Sequence, residues 1–161
     1  MVEGSAPPAG LILRVDDRLI HGQIVYGWAK LWPAEEIWLV HDAIAADTRR
    51  RELYEEQIPE GVTGGVLSLS EAVDHWGGSG EESRRILLVV ESCADLARLV
   101  AEGVRPAEAH LGNVGRGEGR GRVTDTVYLG GEDLAALETV AGSGVSLWLR
   151  ELPSSRPLPL P

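Results

Sequence analysis

A single cysteine, Cys93, excludes an internal disulfide and any cysteine-based metal cluster, and it is expected to be a buried thiol beside a helix start. Long apolar runs are also missing. Stretches such as 86–90 fall far short of the roughly 18 residues a membrane-crossing helix needs, so direct membrane insertion is not expected. Positive charge is scarce: the formal net charge is −10, which opposes adhesion to nucleic acid or to an anionic membrane surface. Lys30 is the only lysine, a bias toward arginine that reads as codon usage. The start of the chain is polar, with Pro7 and Pro8, and lacks the basic-then-apolar order of a secretory signal. A cytoplasmic protein is therefore expected. There is no Walker lysine, no Gly-x-Ser-x-Gly elbow, no zinc-protease motif and no His/Cys cluster, so neither a metal nor a cofactor is expected. The tryptophans at 28, 32, 38, 76 and 148 fit core or interface positions.

What is present describes one globular domain. Its 161 residues are 43% hydrophobic, enough for a sizeable core and too apolar for a disordered chain. Apolar, β-branched-rich runs recur at 11–15, 37–40, 66–69, 86–90, 109–111, 127–129 and 145–149. Several lack internal alternation, as strands buried on both faces do. Segments with helical spacing lie between most of them. Ile24, Trp28 and Leu31 recur at i, i+4, i+7 before Pro33. Asp42 can cap a helix running toward Gln57, and Ser70 a short one reaching Trp76. Leu96, Leu99 and Val100 precede Gly103, while Leu134, Leu137 and Ala141 precede Gly142 and Gly144.

The alternation predicts an α/β fold: a mainly parallel central sheet of about six to seven strands with helices on both faces, joined by right-handed crossovers. The loop before 123–129 is too short for a crossover helix, so an antiparallel pairing is plausible there. Residues 1–10 read as a flexible N-terminal segment, 11–152 as the domain, and 153–161 as a proline-rich tail that should be extended or disordered.

Ligands of such sheets bind beyond the carboxyl ends of the strands, where loops lead into helices. There the first strand delivers Asp16-Asp17-Arg18-Leu19-Ile20-His21, followed by Gly22 and Gln23. A helix N-terminus offers unpaired N–H groups and a partial positive charge, so it accepts anions. Gly22 leaves room for a phosphate, Arg18 can fork onto its oxygens, and an Asp can fix the His21 tautomer so that the other nitrogen is nucleophilic. A solvated Asp-Asp-Arg turn with a surface histidine explains the same residues more blandly.

The segment Arg14-Val15-Asp16-Asp17-Arg18-Leu19-Ile20-His21-Gly22-Gln23 resembles the active-site signature of the IIB component of the mannose/fructose/sorbose-type sugar phosphotransferase system. The resemblance extends over roughly 11–153. It includes Asp42-Ala43-Ile44-Ala45-Ala46-Asp47-Thr48, Pro59-Glu60-Gly61-Val62, Gly103-Val104 and His110-Leu111-Gly112-Asn113-Val114. It implies a phosphotransferase component with a phosphohistidine intermediate: His21 would take phosphate through Nδ1 from a phosphohistidine on a IIA partner. It would then pass the group to a sugar held by membrane IIC and IID components. Asp16 and Arg18 would orient the histidine and balance charge, and the backbone at Gly22 and Gln23 would contact phosphate. Arg14, Asp17, His41, Gly112 and Asn113 are further candidates. A regulatory phospho-switch read by a partner, uncoupled from transport, uses the same His21, and a small-molecule-binding domain with an inactive loop is a third reading.

Elsewhere, His41 beside Asp42 is adequately explained by helix capping, and His75 and His110 look structural or superficial. Residues 49–51 read as a solvated helix face. The Gly/Arg run at 115–122 fails the Gly-x-Gly-x-x-Gly pattern and reads as a flexible loop. A competing idea is that Arg116, Arg120 and Arg122 help dock an acidic partner or the incoming phosphoryl group.

Overall fold

A computed structural model describes residues 6–78 and 82–160. Nine strands and six helices follow one another as β1 (Gly10–Asp16), α1 (Gly22–Lys30), β2 (Glu36–Val40), α2 (Asp42–Ala45), α3 (Thr48–Glu55), β3 (Thr63–Leu67), α4 (Leu69–Trp76), β4 (Arg85–Val90), α5 (Cys93–Ala101), β5 (Glu108–Asn113), β6 (Gly121–Arg122), β7 (Tyr128–Leu129), α6 (Gly131–Gly142), β8 (Leu147–Leu149) and β9 (Leu158–Pro159). Seven of the strands form one sheet in the order β3-β2-β4-β1-β5-β8-β9. All neighbours pair in parallel except the last, β8 with β9. The expected α/β architecture is what the chain adopts.

Period-two alternation along β1 divides the core between the two faces of the sheet. Leu11, Leu13 and Val15 pack with Leu69, Ala72 and Trp76 of α4, Cys93, Leu96 and Leu99 of α5, and Leu137 and Val140 of α6. Ile12 points the other way, into a cluster with Ile24 and Trp28 of α1, Ile44 of α2, and Leu87 and Val89 of β4. Helices therefore cover both faces, and β1 is buried along its whole length.

Several element boundaries differ from the sequence reading. The segment 42–57 is not one helix: α2 closes at Ala46, and Asp47 caps α3 by accepting from the Arg50 N–H at 3.2 Å. An Asp offered a local backbone donor competes with helix continuation. Asp42 is not the cap of α2; the His41 side chain is, and the Asp42 carboxylate instead accepts from Leu69 N at 2.9 Å. Ser68 rather than Ser70 caps α4, in a full capping box with Glu71. Leu134 and Ala141 are exposed, the buried stripe of α6 being Asp133, Leu137 and Val140.

The seventh strand of the main sheet is also not the expected one. The run 127–129 contributes only a bridge from Val127 to Val114 and joins β6 in a separate antiparallel hairpin. The place at the sheet edge is taken by β9, from the proline-rich tail. That tail is extended but folded back: Pro153 and Pro157 are buried, and Leu158 lies opposite Leu149. Proline is tolerated on an edge strand, where its missing N–H faces away from the ladder. Of the expected flexible segment 1–10, residues 1–5 lie outside the described residues. Pro7 is buried and accepts a hydrogen bond from Trp32 Nε1 at 3.0 Å, and Gly10 opens β1.

Candidate functional site

β1 ends in an irregular step. Val15 faces Leu111 of β5 but Asp16 faces Asn113, so a residue is skipped and the chain turns off the sheet. The Leu19 N–H donates to the Asp16 carbonyl at 3.0 Å, and Leu19 itself has φ of +64°. That left-handed backbone is unfavourable for leucine. Burial of Leu19 and Ile20 in the α1-side cluster holds it in place. These two side chains act as plugs, and His21 follows them at the N-cap position of α1.

His21 is oriented by that position. Its Nε2 is turned inward, 3.6 Å from Asp16 Oδ2, and has no hydrogen-bond partner among the described residues. Its Nδ1 is likewise unbonded but open to solvent. At 3.6 Å, Asp16 acts on the ring through its charge rather than through a formed hydrogen bond. Partial burial lowers the His21 pKa below its ordinary 6.5, Asp16 opposes this, and Arg18 adds to it. The ring is thus held neutral near pH 7. A carboxylate facing Nε2 favours the proton there and leaves a lone pair on Nδ1.

Asp16 is fully buried and set between two guanidinium groups. Arg18 forks onto it, Nε to Oδ1 and Nη2 to Oδ2 both at 3.0 Å, and its backbone N–H donates to Oδ1 at 3.0 Å. Arg18 Nη1 donates to Gln23 Oε1 at 3.0 Å. An arginine has five N–H donors, so two remain for an anion. On the other side Arg14, itself 1% exposed, reaches Oδ2 at 3.4 Å. Burial pushes the Arg14 guanidinium down to about 10, still charged at neutral pH.

The remaining candidates fall into two groups. Asp17 anchors the loop: Oδ1 accepts from Asn113 Nδ2 at 2.6 Å and Oδ2 from Gly115 N at 2.7 Å. Gly112 makes room for Arg14, because a Cβ there would lie 2.0 Å from Arg14 Nη2. Gly22 opens onto free space, with nothing within 4 Å of where its Cβ would be. No side chain caps α1 and no acidic residue stands in its first turn. His41 does not join the group. Its Nδ1 caps α2 by accepting from Ile44 N at 3.2 Å and its Nε2 meets the Glu91 carboxylate at 2.7 Å, so both ring nitrogens are engaged. His110 is buried against Glu108, and burial pushes the Cys93 thiol up to about 12.

One contributor escaped the sequence reading. Glu151, just beyond β8, accepts from Gln23 Nε2 at 3.3 Å through its carboxylate and from Arg14 Nη2 at 2.6 Å through its carbonyl. Arg14 Nη1 also holds the Arg150 carbonyl at 2.6 Å. The C-terminal segment is thereby strapped to both sides of the Asp16–Arg18 pair.

An open imidazole nitrogen beside an unobstructed helix start and a guanidinium with unused donors is chemistry for phosphoryl groups. The family described as "PTS system sorbose subfamily IIB component" matches residues 11–160. The chain belongs to that family. It is 33% identical over 144 residues to the PTS system fructose-specific EIIB component of Bacillus subtilis, covering 89% of this chain and 88% of the relative. It is 30% identical over 141 residues to the PTS system mannose-specific EIIAB component of Escherichia coli K12, covering 88% of this chain and 44% of that longer protein. The IIB domain of the sorbose permease of Klebsiella pneumoniae superposes with a TM-score of 0.81 at 28% identity, over 93% of each chain. This IIB component therefore has a phosphoryl-transfer role in sugar uptake, and its kind are phosphotransferases. Among the described residues, no helix is long and apolar enough to cross a membrane.

Proposed function

We propose that this IIB component is a cytoplasmic phosphoryl carrier that accepts PO₃ on His21 Nδ1 from a phosphohistidine of a IIA partner. It then donates the group to a sugar hydroxyl presented by membrane IIC and IID components. The observation that carries the reading is the orientation of His21, with Nε2 turned to Asp16 and Nδ1 open at the mouth of α1. The mannose-specific EIIAB relative, by its name, joins a IIA and a IIB component, which supports a IIA partner for this chain.

In the first step the Nδ1 lone pair attacks phosphorus. The new N–P bond forms as the donor's P–N bond breaks, and the leaving nitrogen keeps the electron pair. His21 retains its Nε2 proton, and the positive charge that develops on the ring faces Asp16. The free donors of Arg18 and the first N–H groups of α1 stabilise the equatorial oxygens. In the second step a sugar oxygen takes phosphorus, its proton is released, and Nδ1 recovers its lone pair. Geometry and electrostatics supply the catalysis.

Such a carrier has to release what it binds. Each ~1.4 kcal/mol of ground-state stabilisation not shared by the transition state slows onward transfer about tenfold. The fork of Arg18 onto Asp16 moderates its hold, because one carboxylate already neutralises that cation. The test is incubation with a phosphorylated IIA component followed by phosphopeptide mapping. Label is expected on His21 and absent from His21→Ala; label elsewhere, or none from a competent donor, contradicts the proposal.

A further inference from the structure

The three arginines of the 115–122 loop are not equivalent. Arg120 forks onto Asp133, Nε to Oδ2 at 2.9 Å and Nη2 to Oδ1 at 3.2 Å, and so fastens the loop to the start of α6. Arg122 pairs with Asp125 within the hairpin. Arg116 has no carboxylate partner among the described residues. Its guanidinium sits over the Tyr128 ring, 5.4 Å from the centroid, and Nε donates to Tyr128 Oη at 3.2 Å. That contact fixes the direction of the group and leaves both terminal nitrogens free.

Its location ties this cation to the phosphoryl site. The residue before it, Gly115, donates its N–H to Asp17 at 2.7 Å, and Asp17 stands between Asp16 and Arg18 in the His21 loop. Arg116 is therefore an exposed residue of the segment leading into the hairpin, one position beyond the backbone that Asp17 holds. In a chain of net charge −10, this guanidinium is left uncompensated and is oriented by an aromatic ring. A forked guanidinium held by an aromatic face matches a carboxylate on an approaching surface.

We propose that Arg116 is a docking cation that receives an acidic side chain of the phosphodonor protein next to that donor's phosphohistidine. This rests on the carrier reading above and concerns recognition of the donor, not the transfer step. Rim charges act mainly on encounter and on salt dependence. The carboxylate-paired Arg122 of the following hairpin contributes little to docking.

The test is the initial rate of His21 labelling against the concentration of a phosphorylated IIA component, for wild type, Arg116→Ala, Arg116→Lys and Arg122→Ala. Arg116→Ala is expected to raise KM roughly threefold to tenfold, leave kcat unchanged and flatten the dependence of kcat/KM on salt. Arg116→Lys restores most of the affinity, and Arg122→Ala stays near wild type. An unchanged KM in Arg116→Ala overturns the proposal, as does an equal rise in Arg122→Ala, which would report net charge alone. A fall in kcat at saturating donor also overturns it, because Arg116 would then contact the transferring group. Absence of His21 label in the wild type would instead overturn the carrier reading.

Discussion

Asp16 Oδ2 stands 3.6 Å from His21 Nε2, and the opposite ring nitrogen is the one that meets solvent. The two nitrogens of one imidazole thus have different environments. The inner one faces a buried carboxylate and the outer one is unbonded and open. The arrangement depends on the twist that Leu19 and Ile20 impose between the end of β1 and the start of α1.

The first prediction concerns protonation. Burial lowers the His21 pKa, with Asp16 only partly compensating. An NMR titration of the ring should give a midpoint below 6.5, and phosphoryl acceptance at pH 6.5 should exceed half its plateau. The folded protein binds this proton less readily than the unfolded chain does. The His21 contribution to stability is therefore fully present above pH 6.5 and is lost as pH falls toward the folded midpoint. A midpoint above 6.5 would show that Asp16 dominates the ring.

The second concerns Gly112. Its missing side chain is the space Arg14 occupies, so Gly112→Ala must displace that guanidinium from Asp16 and from the Arg150 and Glu151 carbonyls. Urea unfolding should show a loss of about 1–3 kcal/mol, the usual cost of overpacking a buried site. Labelling of His21 should slow in the fraction that remains folded. Wild-type stability in this variant would mean that Arg14 has other room to move.

Much of this was legible in the one-dimensional chain, and the limit is instructive. The strands that form the sheet centre were readable from short apolar runs within them, 11–13 in β1, 37–40 in β2 and 86–90 in β4, although Arg14 and His110 interrupt β1 and β5. The grouping of Asp16, Arg18 and His21 was readable because these residues are nearly contiguous in one loop. What escaped were relations across sequence distance. Arg14 meets the Arg150 carbonyl 136 residues away, and Gln23 meets Glu151 across 128. The capping role passed from Asp42 to His41 because Leu69 N, 27 residues on, takes the Asp42 carboxylate. Likewise, only the folded hairpin separates Arg116 from its two neutralised neighbours.

The third prediction concerns the loop anchor. Asp17→Ala removes the acceptor of two short hydrogen bonds, from Asn113 and Gly115. The expected loss is about 1–2 kcal/mol by urea unfolding. Faster amide exchange should accompany it at Gly115 and through the hairpin. Unaltered exchange there would show that the hairpin is held without Asp17, by its bonds to Val114 and the Arg120–Asp133 pair.

The fourth concerns Arg18. Lysine keeps the charge but cannot reproduce the fork onto Asp16 together with the contact to Gln23. Arg18→Lys should lower the single-turnover rate of His21 phosphorylation by roughly a hundredfold, the scale of losing one preorganised donor in a transition state. Unchanged global stability, read by thermal unfolding, would assign that loss to the transfer step. A rate within twofold of wild type would remove Arg18 from the mechanism.

The most direct measurement is of the atom that carries the phosphorus. The ¹⁵N-labelled protein, phosphorylated by a IIA component, can be read through the ¹⁵N–³¹P coupling of the modified ring. The orientation of His21 predicts coupling to Nδ1, with the proton retained on Nε2 beside Asp16. Coupling to Nε2, or a phosphorus signal arising from any other residue, would contradict it.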